Sequence, residues 1–117
     1  MLVPQELVQT FAALGDPTRI AILNRLATDG DMTVQEIAQP FPMSLPAVSQ
    51  HLKVLENAGL ISRRREGQRR PCCLRVERLA EAAHWFEHTR EAWQSRFARL
   101  ERFLASVVSS QPNETKG

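Results

Sequence analysis

The chain has 117 residues, 43% of them hydrophobic and 24% charged, with two cysteines and a formal net charge of +2. That is the composition of one globular domain; it excludes a disordered chain, a repetitive one and a disulfide-built scaffold. No apolar stretch is long enough to span a membrane, and Met1 to Glu6 lacks the basic and apolar regions of a secretory signal, so a cytoplasmic protein with no membrane partner is expected.

In chain order, the spacing of Leu7, Val8, Phe11 and Leu14 predicts a first helix from about Pro4 to Leu14, closed by Gly15. Asp16-Pro17 opens a second helix, because Asp caps well and Pro at the first helical position loses no needed hydrogen bond. Ile20, Leu23, Leu26 and Ala27 form its expected buried stripe, and Asp29-Gly30-Asp31 ends it. Thr33-Val34-Gln35-Glu36 is a capping box that starts a short third helix with Val34, Ile37 and Ala38 inward. Pro40 and Pro42 break the chain before Ser44 caps a fourth helix. Val48, Leu52 and Leu55 turn inward there, and Gly59 stops the helix after Ala58. Leu60 to Glu66 reads as a strand, Gly67-Gln68 as a hairpin tip and Pro71 to Val76 as the return strand. From Glu77 to about Val108 apolar residues recur in steps of four and three through Leu79, Ala83, Phe86, Trp93, Phe97, Leu100, Leu104 and Val107, with Arg90 the one polar interruption. The polar tail, residues 109–117, is expected to fray.

The fold class is therefore mainly α with a small β-hairpin. Three compact helices followed by a two-stranded hairpin describe a winged helix-turn-helix with a long C-terminal helix, and residues 1–117 are expected to form a single DNA-binding domain. The helix-turn-helix occupies about 33–58, the wing about 60–76 and the dimerisation helix about 77–108. The charge supports this. Seven arginines lie between Arg63 and Arg78 against Glu66 and Glu77, a local charge of +5 in a chain of +2. Such a concentration is a footprint for a polyanion, though a solvated hairpin would carry it too. The outward face of the fourth helix carries Leu45, Pro46, Ser49, Gln50 and Lys53, with no acid between Ser44 and Lys53. That face can approach a major groove, where Ser and Gln hydrogen-bond base edges, while the Ser44 cap favours a phosphate. Arg63 and Arg65 are expected on one face of the strand and Arg64 on the other, with Arg69 and Arg70 at the tip, placed for backbone phosphate or a narrow minor groove.

Two long segments, Leu14-Gly15-Asp16-Pro17-Thr18-Arg19-Ile20-Ala21-Ile22-Leu23 and Met43-Ser44-Leu45-Pro46-Ala47-Val48-Ser49-Gln50-His51-Leu52-Lys53-Val54-Leu55-Glu56-Asn57-Ala58-Gly59-Leu60-Ile61, carry a family likeness. In this order, and followed by the wing, they resemble the ArsR (arsenical-repressor-like) family of winged-helix regulators over about residues 6–80. The resemblance implies a homodimeric repressor on a palindromic double-stranded operator. The family's DNA helix maps onto Ser44 to Leu55, with Leu45, Pro46, Ser49 and Gln50 facing the bases. It also implies a dimer interface from the first and last helices, here Leu7 and Phe11 with Phe86, Trp93, Phe97, Leu100 and Leu104. A final helix of roughly 32 residues, spanning about 48 Å, outruns a small domain and fits that interface independently.

Many members of the family release DNA on binding metal, but the third helix here has no Cys, which removes the thiolate site. His84 and His88 lie at i, i+4 with glutamates nearby and are the only metal candidates, at a spacing that departs from the family pattern; no metal or other cofactor is expected. Adjacent strand residues point to opposite faces, so Cys72 and Cys73 cannot easily share one ion; Cys73, in step with Arg75, is the candidate thiol sensor and Cys72 the packed residue. The inducer stays unnamed, with metal-, arsenite- or thiol-responsive repression as alternatives. A phosphate loop, a metalloprotease helix motif and a serine elbow are all missing, so an enzyme is not expected. A protein-interaction module without DNA binding is the other rival, opposed by the arginine-rich wing.

Overall fold

The computed structural model describes residues 3–110. Its elements are α1 (Gln5–Ala13), α2 (Pro17–Asp29), α3 (Val34–Ala38), α4 (Leu45–Asn57), β1 (Ile61–Arg63), β2 (Cys72–Leu74) and α5 (Glu77–Ser110). One compact unit runs to Ala82 and a second begins at Ala83 within α5. The expected tail falls mostly outside the described residues, and α5 continues to Ser110, two residues past the expected end.

The helix starts follow from local chemistry. Asp16 accepts from Arg19 N, Thr33 from Glu36 N and Ser44 from Ala47 N, so each cap satisfies an otherwise orphaned amide. The Thr33 capping box is complete, with Glu36 Oε1 accepting from Thr33 N at 2.8 Å. Arg25 holds the far end of α3 by donating to the carbonyls of Glu36 and Ile37 at 3.0 and 2.9 Å.

In the first unit, α2 and α4 pack on each other and on the hairpin, and α3 packs on α4. The core is Ile22, Leu26, Ile37, Val48, Leu52, Leu55, Leu60, Ile61 and Cys72, all buried. Two expected core residues are corrected. Ile20 is 42% exposed and Ala27 is exposed, whereas Ile22, absent from the expected stripe, is fully buried. At about 100° per residue, Ile20 and Ala27 lie together at one edge of a broad apolar arc on α2. The packing partners of α2, namely α4 and β2, take the other edge.

The strands are shorter than expected, because β1 ends at Arg63 and β2 at Leu74. They pair antiparallel in the register Ile61–Leu74, Ser62–Cys73 and Arg63–Cys72. Beyond them the hairpin is held by Arg64 N to Pro71 O at 3.2 Å and by mutual Glu66–Arg69 bonds at 2.9 and 3.0 Å. Gly67 supplies the positive φ, +62°, at the first of the two central turn residues, as a type II′ turn requires. The sequence did not announce one further pairing. Met32 exchanges two hydrogen bonds with Cys72, at 2.7 and 3.2 Å, so the segment before α3 adds a third edge to the hairpin.

Gly59 ends α4 at φ +76°, and a Cβ there would approach Arg78 Nε to 3.0 Å and Arg78 Cγ to 3.1 Å. Gly59→Ala should therefore cost about 1–2 kcal/mol from the left-handed backbone alone, with the Arg78 contact adding to it. Urea unfolding of Gly59→Ala and of the Gly59→Ala/Arg78→Ala pair checks this. The second change should recover part of the loss, and no recovery would remove the clash from the account.

Candidate nucleic-acid interface

The rotation of α4 is set by Val48, Leu52 and Leu55, which have no exposed surface. With that face inward, Leu45 is 43% exposed, Pro46, Gln50 and Lys53 are exposed, and Ser49 is half-buried. These are the residues that the sequence placed on the outward face. Ser44 uses its hydroxyl to cap the helix through Ala47 N at 3.3 Å. Nothing acidic interrupts the chain from Ser44 through Leu55.

Sequence reasoning missed the residue that ties α4 to the helices before it. Arg19 Nε donates to Ala13 O at 2.7 Å and Nη2 to Ala12 O at 3.3 Å, closing the end of α1. Its Nη1 lies 3.3 Å from His51 Nδ1 on α4, and Arg has no acceptor, so His51 Nδ1 takes that bond. Asp16 Oδ2 lies 3.8 Å from the same nitrogen. Both Arg19 and His51 are in the segments that carry the family resemblance, and the Asp-Pro-x-Arg spacing after a helix end was the available signal.

The wing arginines are not equivalent. Arg64 binds Asp31 and pairs with Glu66 at 3.0 Å. Arg69 pairs with Glu36 at 3.0 Å and Glu66 at 3.7 Å. Arg63 is only 20% exposed at its side chain; its Nε is buried without a hydrogen bond, 4.0 Å from Glu56 Oε1. Arg65 and Arg70 are exposed, and no ion pair to either is found among the described residues. The expected strand run through Arg65 is cut short, because β1 stops at Arg63; Arg64 keeps one cross-hairpin bond through its amide to Pro71 O, and Arg64 and Arg65 are both exposed.

Cys72 is fully buried and Cys73 half-buried, both as free thiols. Burial pushes the Cys72 thiol up from its ordinary value. The cation beside Cys73 is Arg64, whose Nη1 is 3.1 Å from the sulfur, rather than the expected Arg75, which turns to Glu77 at 3.4 Å. His84 and His88 are exposed, and among the described residues no group of three or more His, Cys, Asp or Glu side chains could hold a metal ion. In the second unit, Phe86, Trp93, Phe97, Leu100 and Leu104 of α5 are all exposed, Trp93 by 60% and Phe97 by 63%. Leu7 of α1 is buried within its own chain, and Phe11 is half-buried.

Comparison with known proteins adds the following. The family model described as "Bacterial regulatory protein, arsR family" matches residues 16–63. The transcriptional repressor SdpR of Bacillus subtilis (strain 168) is 41% identical over 75 residues, which cover 64% of this chain and 82% of that protein. The structure is similar to an ArsR-like transcriptional regulator from Rhodococcus sp. RHA1, with a TM-score of 0.76 and 30% identity, covering 84% of this chain and 92% of that one. It is also similar to a homodimeric winged helix-turn-helix DNA-binding domain from Mycobacterium bovis, with a TM-score of 0.58 and 28% identity over 80% and 83% of the two chains.

Three carboxylates around this surface are held below their ordinary values. Asp16 is lowered chiefly by the Arg19 amide, Asp31 by the Arg64 guanidinium and Glu36 by the Thr33 amide. A lowered folded value means that the stabilisation is complete above the unfolded value, near pH 4, and is lost as pH falls through the folded one. Melting temperature followed from neutral pH down to about pH 3 should therefore drop on the acid side. Asp16→Asn keeps a capping oxygen but cannot titrate, so its acid-side slope should be shallower than wild type. Equal slopes would mean that Asp16 is not among the groups responsible.

Proposed function

The chain belongs to the arsR family of bacterial regulatory proteins and is a transcriptional regulator; from that premise we propose that it is a homodimer that binds a palindromic operator and represses transcription there. The observation that carries this is the acid-free outward face of α4, with Leu45, Pro46, Ser49, Gln50 and Lys53 turned away from a fully buried seam. In the major groove, Gln50 supplies paired donor and acceptor atoms for a base edge and Leu45 an apolar contact for a thymine methyl. Ser44, at the start of the helix, and Lys53 lie where backbone phosphate would approach.

In the wing, Arg65 and Arg70 are the cations ready for DNA, since neither is ion-paired among the described residues. Arg69 joins them at the cost of its pairs with Glu36 and Glu66. Arg63, largely covered beside Glu56, acts from beneath the hairpin. The repressor named among the relatives and the homodimeric domain among the similar structures support the same reading.

We infer that the dimer seam lies on α5. Phe86, Trp93 and Leu100 are seven residues apart, as are Phe97 and Leu104, which is the repeat that keeps one stripe facing a partner helix. These are large apolar groups exposed in the single chain, and covering them is what a second copy would gain. From α1, Phe11 and the 44%-exposed Val8 can reach a partner, with the buried Leu7 supporting them from within.

Selection of bound sequences from a random DNA pool tests the proposal, the expected result being a consensus with a two-fold axis. In a reconstituted transcription assay, that sequence placed in a promoter should reduce transcript when the protein is added. Gln50→Ala should lose about 1–3 kcal/mol of discrimination against altered sites while its melting temperature stays near wild type. Equal losses on specific and random DNA would take Gln50 off the base-reading list. Phe97→Glu should give monomers by sedimentation and weaken DNA binding with them, since one half-site offers half the contacts. An intact DNA-binding dimer of that variant would refute the α5 seam.

A further inference from the structure

Between α3 and the wing lies an open groove of about 620 Å³, with residues 33–36 on one side and Arg63, Gln68, Arg69 and Arg70 on the other. Three of the four wing residues are arginines, and Glu36 is the only acid in the lining.

Its occupant is suggested by how Glu36 is spent. The same oxygen, Oε1, accepts from Thr33 N at 2.8 Å, Thr33 Oγ1 at 3.2 Å and Arg69 Nη2 at 3.0 Å. The first belongs to the capping box and the second is a further bond to the same Thr33, so neither depends on Arg69. The Arg69–Glu36 pair is about half exposed on both sides, so exchanging it for another anion costs little. Arg70, at the same wall, forms no ion pair among the described residues. Arg63 closes the groove as a largely covered guanidinium whose Nε is unbonded. Thr33, Gln35 and Gln68 add polar side chains among these cations.

The geometry points to a binding site for a small phosphate-bearing anion in this groove, with Arg69 exchanging Glu36 for phosphoryl oxygens and Arg70 completing a two-guanidinium clamp. Guanidinium forks match phosphate oxygens two at a time, which a carboxylate already shared with a capping box does not. The site shares Arg69 and Arg70 with the operator contacts proposed above, so a ligand held there would withdraw both from the DNA backbone. Its own test requires no DNA.

Inorganic pyrophosphate is the probe, titrated calorimetrically into the full chain at constant ionic strength. Saturable binding at one site per chain is expected. Arg69→Ala and Arg70→Ala should each weaken it by about tenfold or more, and Arg69→Lys, which keeps the charge but not the fork, should fall between. Glu36→Gln, which keeps the capping oxygen and removes the competing charge, should bind more tightly. Arg96→Ala, on α5, should match wild type. Heat that rises without saturation, or binding unchanged in the groove variants, overturns the site. If the groove variants lose affinity for random-sequence DNA while pyrophosphate does not saturate, the groove belongs to the DNA backbone and the small-anion site is refuted. A failed operator selection would instead count against the regulatory reading and leave the pyrophosphate result standing.

Discussion

The complete burial of Val48, Leu52 and Leu55 is the constraint from which the rest of the surface follows. Three residues at i, i+4 and i+7 leave a helix only one orientation about its own axis, because any rotation would pull an apolar side chain out of contact. The outward set is then determined by subtraction. Arg19 adds what burial alone cannot: by bonding the last carbonyls of α1 and reaching His51, it ties α4 to the α1–α2 corner with directional bonds. Apolar packing sets which face looks out, and hydrogen bonding sets where the helix lies.

The parts of this arrangement that local rules govern were legible in the sequence. The side-chain caps of α2, α3 and α4 were visible, since Asp16, Thr33 and Ser44 each precede an apolar period, and so were the glycine stop at Gly59 and the turn at Gly67. The outward residues of α4 were also legible, because a 3.6-residue period with three large apolar side chains leaves little choice. What was not legible depends on partners distant in the chain. Ile20 and Ile22 are equally apolar, and only the position of α4 and β2 decides which is covered. The Met32–Cys72 pairing spans forty residues and involves no motif. The wing's net charge of +5, with Glu66 and Glu77 counted, was legible, but its further neutralisation by Asp31 and Glu36 was not, because those acids come from another segment.

That neutralisation changes the meaning of the charge count. Seven arginines in one stretch suggest an undivided cationic surface, but the fold sorts them by partner. Arg64 is committed to Asp31 and Glu66 and lies against the Cys73 sulfur, Arg63 is largely covered, and Arg69 is shared. Arg65 and Arg70 retain their full field. A polyanion approaching the wing therefore meets two strong cations and one that can be recruited, a smaller and more discriminating surface than composition implies.

The root and the tip of the hairpin are also built differently. Within the paired strands, Cys72 is bonded on one side to Met32 and lies in register with Arg63 on the other, so its strand has neighbours along both edges. Toward the tip the ladder narrows to the Glu66–Arg69 bonds around Gly67, and an added Cβ on that glycine would meet nothing within 4 Å. Side chains beside Gly67 could be exchanged there without disturbing a packed atom, while position 67 keeps its need for a positive φ. Lineages carrying this framework are thereby free to vary the chemistry of the tip while the helices stay as they are, so the wing can diverge faster than the scaffold that presents it.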